Sequence, residues 1–299
     1  MTKQEEKEEQ QSGNAEKESS ISVDTLTPPK TTAHRKKKAA GGNLLSNKWF
    51  IRIVTFVVVM VLWQVVGSSI NPLFFSTPVG VVLGFNTLIS GTGNYSLVDA
   101  TIVTLETMVV GFIIAAIFGV LLGIALGISR SLEVALNPYI NAFYVTPRIA
   151  LIPLIIIWLG AGFSAFVFTV FLTAVFPMII NTQAGVKNVS RSLLDTANAF
   201  GVGGMRRFRH VIVPAATPFI MAGLRLGVAE AFIGVIVAQM VLAISGLGWL
   251  ITAYGQYYDT PQLIGSILVL MVIGAALTSF VQFLETRISY WKQSERAFR

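Results

Sequence analysis

Four ionisable residues stand inside long apolar runs of this chain: Glu106, Arg148, Arg225 and Glu230. A charge at bilayer depth is costly, so such groups line a water-filled cavity, pair with one another or lie near the membrane surface. In the first case they wall a solute path. In the second, Arg225 and Glu230 form an internal ion pair. Other chemistries lack their residues. There is no cysteine, and the two histidines, His34 and His210, are far apart, so no metal centre is expected. No Gly-x4-Gly-Lys-Ser/Thr phosphate loop occurs, and no lysine follows a glycine, so any ATP must be bound by another polypeptide. No paired acids or Ser/His arrangement in the apolar runs speaks for an enzyme. No cofactor is expected in this chain.

The elements that must hold these residues are membrane helices. Of the 299 residues, 54% are hydrophobic and 12% charged, about half the charge share of a soluble domain. Mean hydropathy is +0.69. Apolar runs long enough to cross a bilayer, about 20 residues, lie near 50–68, 102–128, 134–159, 164–181, 218–244 and 263–284. The fold class is therefore an all-α membrane protein with six transmembrane helices. The third run contains Pro138, Pro147, Arg148 and Pro153, which must break or kink it. Broken backbone at that depth is tolerated only against protein or a water-filled cavity. Pro147 and Arg148 thereby become candidate path residues.

Residues 1–48 read as a disordered tail, rich in Glu, Lys, Gln, Ser and Thr. The tail is not a secretory signal, because the apolar stretch begins too late and acids mix with the bases. The six-helix transmembrane domain spans 49–290, and a short tail follows at 291–299. With six crossings, the tail, the turn at Arg130, the stretch 182–217 and the C-terminus share one side. They carry nine, one, five and four of the 22 Lys and Arg residues; the opposite loops carry none. Cytoplasmic loops hold such residues in excess, so both termini are expected in the cytoplasm of a cell-membrane protein. The net charge of +7 thus marks a cytoplasmic flank facing lipid headgroups, not a nucleic-acid site.

Smaller signals refine this plan. Thr77-Pro78 offers an N-cap and a proline at the first position of a short helix over 79–89, expected at the outer interface. Gly119, Gly123 and Gly127 recur every fourth residue, which lets another helix approach closely. The stretch 188–214 is the longest connection on the basic side. Ser192 and Asp195 have capping-box spacing, Gly201 suits a left-handed C-cap, and Leu193, Ala197 and Phe200 share a face between them. A helix of two turns is too short to stand alone in water, so it needs a partner surface. Gly203-Gly204 makes a turn, and Arg206, Arg207 and Arg209 form a collar suited to lipid headgroups.

The loop reads Asp195-Thr196-Ala197, three residues, Gly201, nine residues, Val211-Ile212-Val213-Pro214. It resembles the Glu-Ala-Ala signature of permeases of binding-protein-dependent ABC importers, with the spacing kept. The resemblance implies a type I importer permease in which this helix docks on a separate ATPase. It gives Asp195, Thr196, Ala197, Phe200, Gly201, Val211, Val213 and Pro214 the coupling role. It also implies an external solute-binding protein and a homodimer of permeases. Thr146–Pro153 with Trp158-Leu159-Gly160, then Gly223-Leu224-Arg225-Leu226 and Gly246–Leu250, look like the nitrate, sulfonate and taurine subgroup. Anion importers of that subgroup often carry bases where this chain has Thr107 and Glu230, and an acid at Gln239. A neutral or cationic organic solute is the expectation from these departures, and Gln239 joins the candidate path residues. The alternative is an ion-coupled secondary transporter using Glu106 and Glu230, which would leave the loop unexplained.

Overall fold

The computed structural model describes residues 48–90, 96–242 and 244–288, and all regular structure among them is helical. Most of the expected tails, including the basic cluster 34–38, lies outside the described residues. Five helices are long and apolar enough to cross a membrane: α1 (Lys48–Ser69), α3 (Leu97–Ile128), α6 (Phe163–Lys187), α9 (Val213–Leu242, extended back to Gly204) and α11 (Thr260–Ile288). The helix pair α4 (Arg130–Val145) and α5 (Ile152–Leu159) is bent by 90° at its break and makes a sixth.

Each proline of the bent pair has a local meaning. Thr146, held extended at ψ 133° ahead of Pro147, ends α4, because the residue before a proline avoids helical geometry. A 3-10 turn, Arg148–Leu151, follows the break. Pro153 stands at the start of α5, where no N–H is needed, and Pro138 is carried inside α4.

The core is α6 between α3 and α9. Small residues set the separation. A methyl at Gly119, Gly123 or Gly127 would lie 2.7, 2.6 and 2.5 Å from the Cβ atoms of Met178, Thr182 and Val186. Gly111 against Val170 and the buried Ala115 extend the expected stripe. From the other side, Gly223, Gly227 and Gly234 meet Asn181, Met178 and Thr173. Lipid provides no hydrophobic drive between helices, so this close van der Waals contact is what holds them.

The register also counts the crossings. Along the α3–α6 contact the residue numbers rise together, so these helices run parallel, while α9 runs antiparallel to α6. Between α3 and α6 the chain must therefore cross back once. The bent pair does this: Glu133 of α4 bonds Lys187 at one end of α6, while Ile152 and Phe166 cluster at the other. Six crossings result, with residues 182–217 and their Lys and Arg residues at one end, the basic end.

At the opposite end, α2 (Pro78–Ser90) and α10 (Leu247–Gln256) pack with α3 and α11 around Leu88, Leu97, Leu250 and Tyr254. Thr77 caps α2 by accepting the Gly80 N–H at 3.1 Å, as the Thr-Pro signal predicts. The helix α10 falls where only a loop is expected.

Candidate functional site

Two places have site-like geometry: the break in the third crossing and the loop at the basic end. Arg148 leaves the break and enters the core. One guanidinium nitrogen donates to the Thr173 carbonyl at 2.9 Å, and another bonds Glu230 Oε2 at 3.3 Å. The Tyr144 ring lies 5.6 Å away, within cation–π range. The Arg148 side chain is 14% exposed, but that of Glu230 is 39% exposed, so the ion pair is open on one side. Thr173 is ten residues into α6, which puts the pair about 15 Å from that helix's start. That is near mid-depth in a hydrocarbon layer of about 30 Å.

The other candidate residues stand apart from it. Arg225 pairs with Glu285 on α11 and not with Glu230, because α9 turns Arg225 toward α11 and Glu230 toward the break. The expected Arg225–Glu230 pairing is thus replaced by two longer-range pairs. Glu106 lies on the exposed face of α3, with no ion pair among the described residues. Gln239 is fully buried near the end of α9. Its Oε1 lies 2.9 Å from the Thr104 hydroxyl and accepts the Gly248 N–H at 3.2 Å, while Thr104 accepts the Leu247 N–H at 2.9 Å. Thr107 is buried, with its hydroxyl given back to its own helix.

In the basic-end loop, α7 (Arg191–Ala199) is a free-standing short helix. Ser190 caps it, accepting the Leu193 N–H at 3.3 Å, so the expected Ser192 cap is displaced by two residues. Buried Val189 precedes the true cap and Leu194 takes the fourth helical position, the two places of a hydrophobic staple. Gly201 has φ +69° and closes the helix: its N–H reaches the Asn198 carbonyl and that of Val202 the Ala197 carbonyl, a Schellman pair. Of the three apolar residues expected on one face, only Ala197 is buried. Leu193 is 50% and Phe200 80% exposed, beside Met205. Asp195 and Thr196 are exposed as well. Arg207 bonds Asn198, tying α7 to the one-turn helix α8 (Gly204–Arg207). A π-turn, Phe208–Ile212, then widens the helix ahead of Pro214, which cannot donate an N–H; Val211, Val213 and Pro214 are half-buried there.

Residues 115–290 match the family described as binding-protein-dependent transport system inner membrane component. The chain belongs to that family. It is a multi-pass inner-membrane protein, the permease subunit of a binding-protein-dependent ABC importer. The permease is 34% identical to the putative aliphatic sulfonates transport permease protein SsuC of Escherichia coli, over 82% of this chain and 94% of that one. It is also 34% identical to the riboflavin transport system permease protein RibX of Chloroflexus aurantiacus, over 81% and 90%. The inward-facing MetNI methionine ABC transporter shares the fold, with a TM-score of 0.56 at 20% identity over 65% of this chain and 94% of that chain. An ion-coupled mechanism finds no support: the permease spends Glu230 on Arg148, and Glu106 stands alone.

Sequence reasoning did not single out Glu285 or Thr104. Glu285 immediately follows the last apolar run, where a surface charge is ordinary. Thr104 shows only as a hydroxyl on an apolar helix.

Proposed function

We propose that this permease, with both termini in the cytoplasm, couples to a separate ATPase through α7 and passes a neutral or cationic organic solute along the face opened at Arg148–Glu230. The observation that carries it is α7 itself. A two-turn helix that exposes Leu193 and its C-cap Phe200, with Met205 just after it, to solvent at the basic end has no internal reason to do so, and a groove on another subunit would cover them. Asp195, Thr196, Ala197 and Gly201 shape that helix, while Val211, Val213 and Pro214 anchor it to α9. ATP is bound by the partner, and a solute-binding protein delivers at the opposite end. A second copy of the permease completes the path.

Among the candidate path residues, Pro147, Arg148 and Glu230 line the opening, while Arg225 and Gln239 brace the walls and Glu106 faces away from α6. Relatives of equal identity are named for sulfonates and for riboflavin, so likeness alone does not choose a solute. Local charge does: Glu230 neutralises Arg148, the cation at the opening, so that it does not stand free for an anion.

Gly201 tests the coupling role. An added Cβ would meet nothing within 4 Å in this chain, so any loss comes from the backbone or from the partner. A left-handed residue costs about 1–2 kcal/mol for most side chains and less for Asn. With the ATPase and binding protein reconstituted, Gly201→Val should lower binding-protein-stimulated ATP hydrolysis by about tenfold, with membrane insertion intact. Gly201→Asn should keep most of it. Normal stimulation in Gly201→Val would count against docking through α7. Calorimetry on the purified binding protein tests the solute, and tight sulfonate binding would overturn the neutral or cationic reading.

A further inference from the structure

The helix α4 is not apolar all round. Arg130, Glu133, Asn137, Asn141 and Tyr144 follow one another at steps of three or four residues, and Arg148 continues the series past the break. At 100° per residue the first five fall within about 100° of arc. Leu132 and Tyr139 lie on the opposite side. The polar face begins at the basic end, where Lys187 donates to Glu133 Oε1 at 2.5 Å and Asn137 donates to the same oxygen at 3.4 Å. A cleft of about 470 Å³ opens there, lined by Arg130, Glu133, Asn137, Asn141 and Lys187 among others. Eleven residues on from Arg130, Asn141 is about 16 Å into the bundle. It is exposed and makes no side-chain hydrogen bond among the described residues.

This face cannot lie in the membrane surface, because its far end is pinned at mid-depth by Arg148 on Thr173 and Glu230. Nor is hydrocarbon a stable neighbour for the exposed Asn141 carboxamide, since an amide without a partner is strongly disfavoured in an apolar medium. Water must reach it. We infer that the polar face of α4 is the basic-side half of the solute path, running from the Arg148–Glu230 pair, which closes its inner end, to the 470 Å³ cleft at its mouth. The solute it suits is small, uncharged or zwitterionic, and rich in hydrogen-bonding groups, since the carboxamides offer both donors and acceptors and each ion pair, Arg148–Glu230 and Lys187–Glu133, is neutral, with Arg130 adding a cation only at the mouth. The inference rests on the permease reading above and adds the route and the recognising groups.

The absence of cysteine from the chain makes the test clean. Single variants Asn137→Cys, Asn141→Cys and Tyr144→Cys on the polar face, with Leu132→Cys and Tyr139→Cys on the other, are assembled with the ATPase in inside-out vesicles. A charged, membrane-impermeant methanethiosulfonate is added from the basic side. The polar-face variants should react at least about tenfold faster than the other two, because only they meet water. The rate at Tyr144→Cys should also change at least about threefold when ATP with vanadate replaces ADP, as a path that opens and closes requires. Equal rates on both faces, cross-linking of the polar face to a second copy without labelling, or rates blind to nucleotide would each overturn the inference. A dry face in a complex with normal binding-protein-stimulated hydrolysis sinks this inference alone. A wet face in a chain that never stimulates an ATPase sinks the coupling reading alone.

Discussion

Two of the polar clusters that interrupt the apolar bundle are built in opposite ways. At mid-depth, Arg148 and Glu230 are charged, meet at 3.3 Å and leave Glu230 more than a third exposed. Toward the non-basic end, Thr104 and Gln239 are neutral and fully buried, and they hold the backbone of Leu247 and Gly248. The first cluster joins a broken crossing to α9 through side chains alone, so its partners can be exchanged for water or solute. The second clamps the first turn of α10 between α3 and α9, and both of its side chains are fully buried. The difference separates polar groups that work from polar groups that brace. Burial decides it: an ion pair kept half open has retained part of its hydration, whereas a closed neutral network lowers its energy only while intact.

The largest effect should come from the closed cluster. A methyl at Gly248 would sit 2.2 Å from the Ile236 carbonyl oxygen, which is backbone and cannot swing aside. One at Gly246, where φ is +90°, would overlap the Gln239 carboxamide at 2.2–2.4 Å. Gly248→Ala should therefore pull α10 off α9, at a cost above about 3 kcal/mol. Loss of monodisperse protein on size exclusion after detergent extraction would show it. A variant that extracts and melts like the parent would mean that this cluster is as loose as the other.

The open cluster should fail differently. Glu230→Gln leaves Arg148 unneutralised at mid-depth, and the partial exposure of Glu230 limits the loss of stability to about 1–2 kcal/mol. Folding should survive while binding-protein-stimulated hydrolysis falls about tenfold. The double variant Arg148→Gln with Glu230→Gln should extract better than Glu230→Gln alone, because no lone charge remains. A double variant less stable than either single would make the pair a brace like Gln239.

The sequence reveals the open cluster more readily than the closed one. Three prolines around Arg148 announce a broken crossing, since each removes a backbone donor whatever the tertiary structure. Thr77-Pro78 and Gly201 are legible for the same reason: their signals are local and their physics is backbone physics. The pairings are not local. Arg225 and Glu230, five residues apart on α9, point about 140° away from each other however the helix is turned; which partner on another helix each one meets depends on how α9 is rotated, and that is set by Gly223, Gly227 and Gly234 nesting on α6. The helix α10 reads as a loop because its ten residues have no side-chain N-cap; Thr104 and Gln239, 143 and nine residues from the amides they hold, satisfy those of Leu247 and Gly248 instead. Ser190 and Ser192 are both plausible caps by composition, and the buried Val189 decides between them.

The smallest effect, and the finest discrimination, is at Thr104. Its hydroxyl proton can serve either the Ala100 carbonyl or Gln239 Oε1, both at 2.9 Å, while its oxygen accepts from Leu247. Thr104→Val keeps the shape and removes the hydroxyl, leaving the Leu247 N–H without an acceptor. Interhelical hydrogen bonds of this kind are worth about 0.6–1.7 kcal/mol in membrane proteins, so a modest fall in melting temperature is expected. Gln239→Met should lower it by a similar amount. The two losses should not add, because each removes one end of the same network. Gln239 Nε2 already lacks a partner among the described residues, so its own contribution is to Oε1 alone. Additive losses would show that Thr104 and Gln239 hold α10 independently, and the closed cluster would then be two separate contacts.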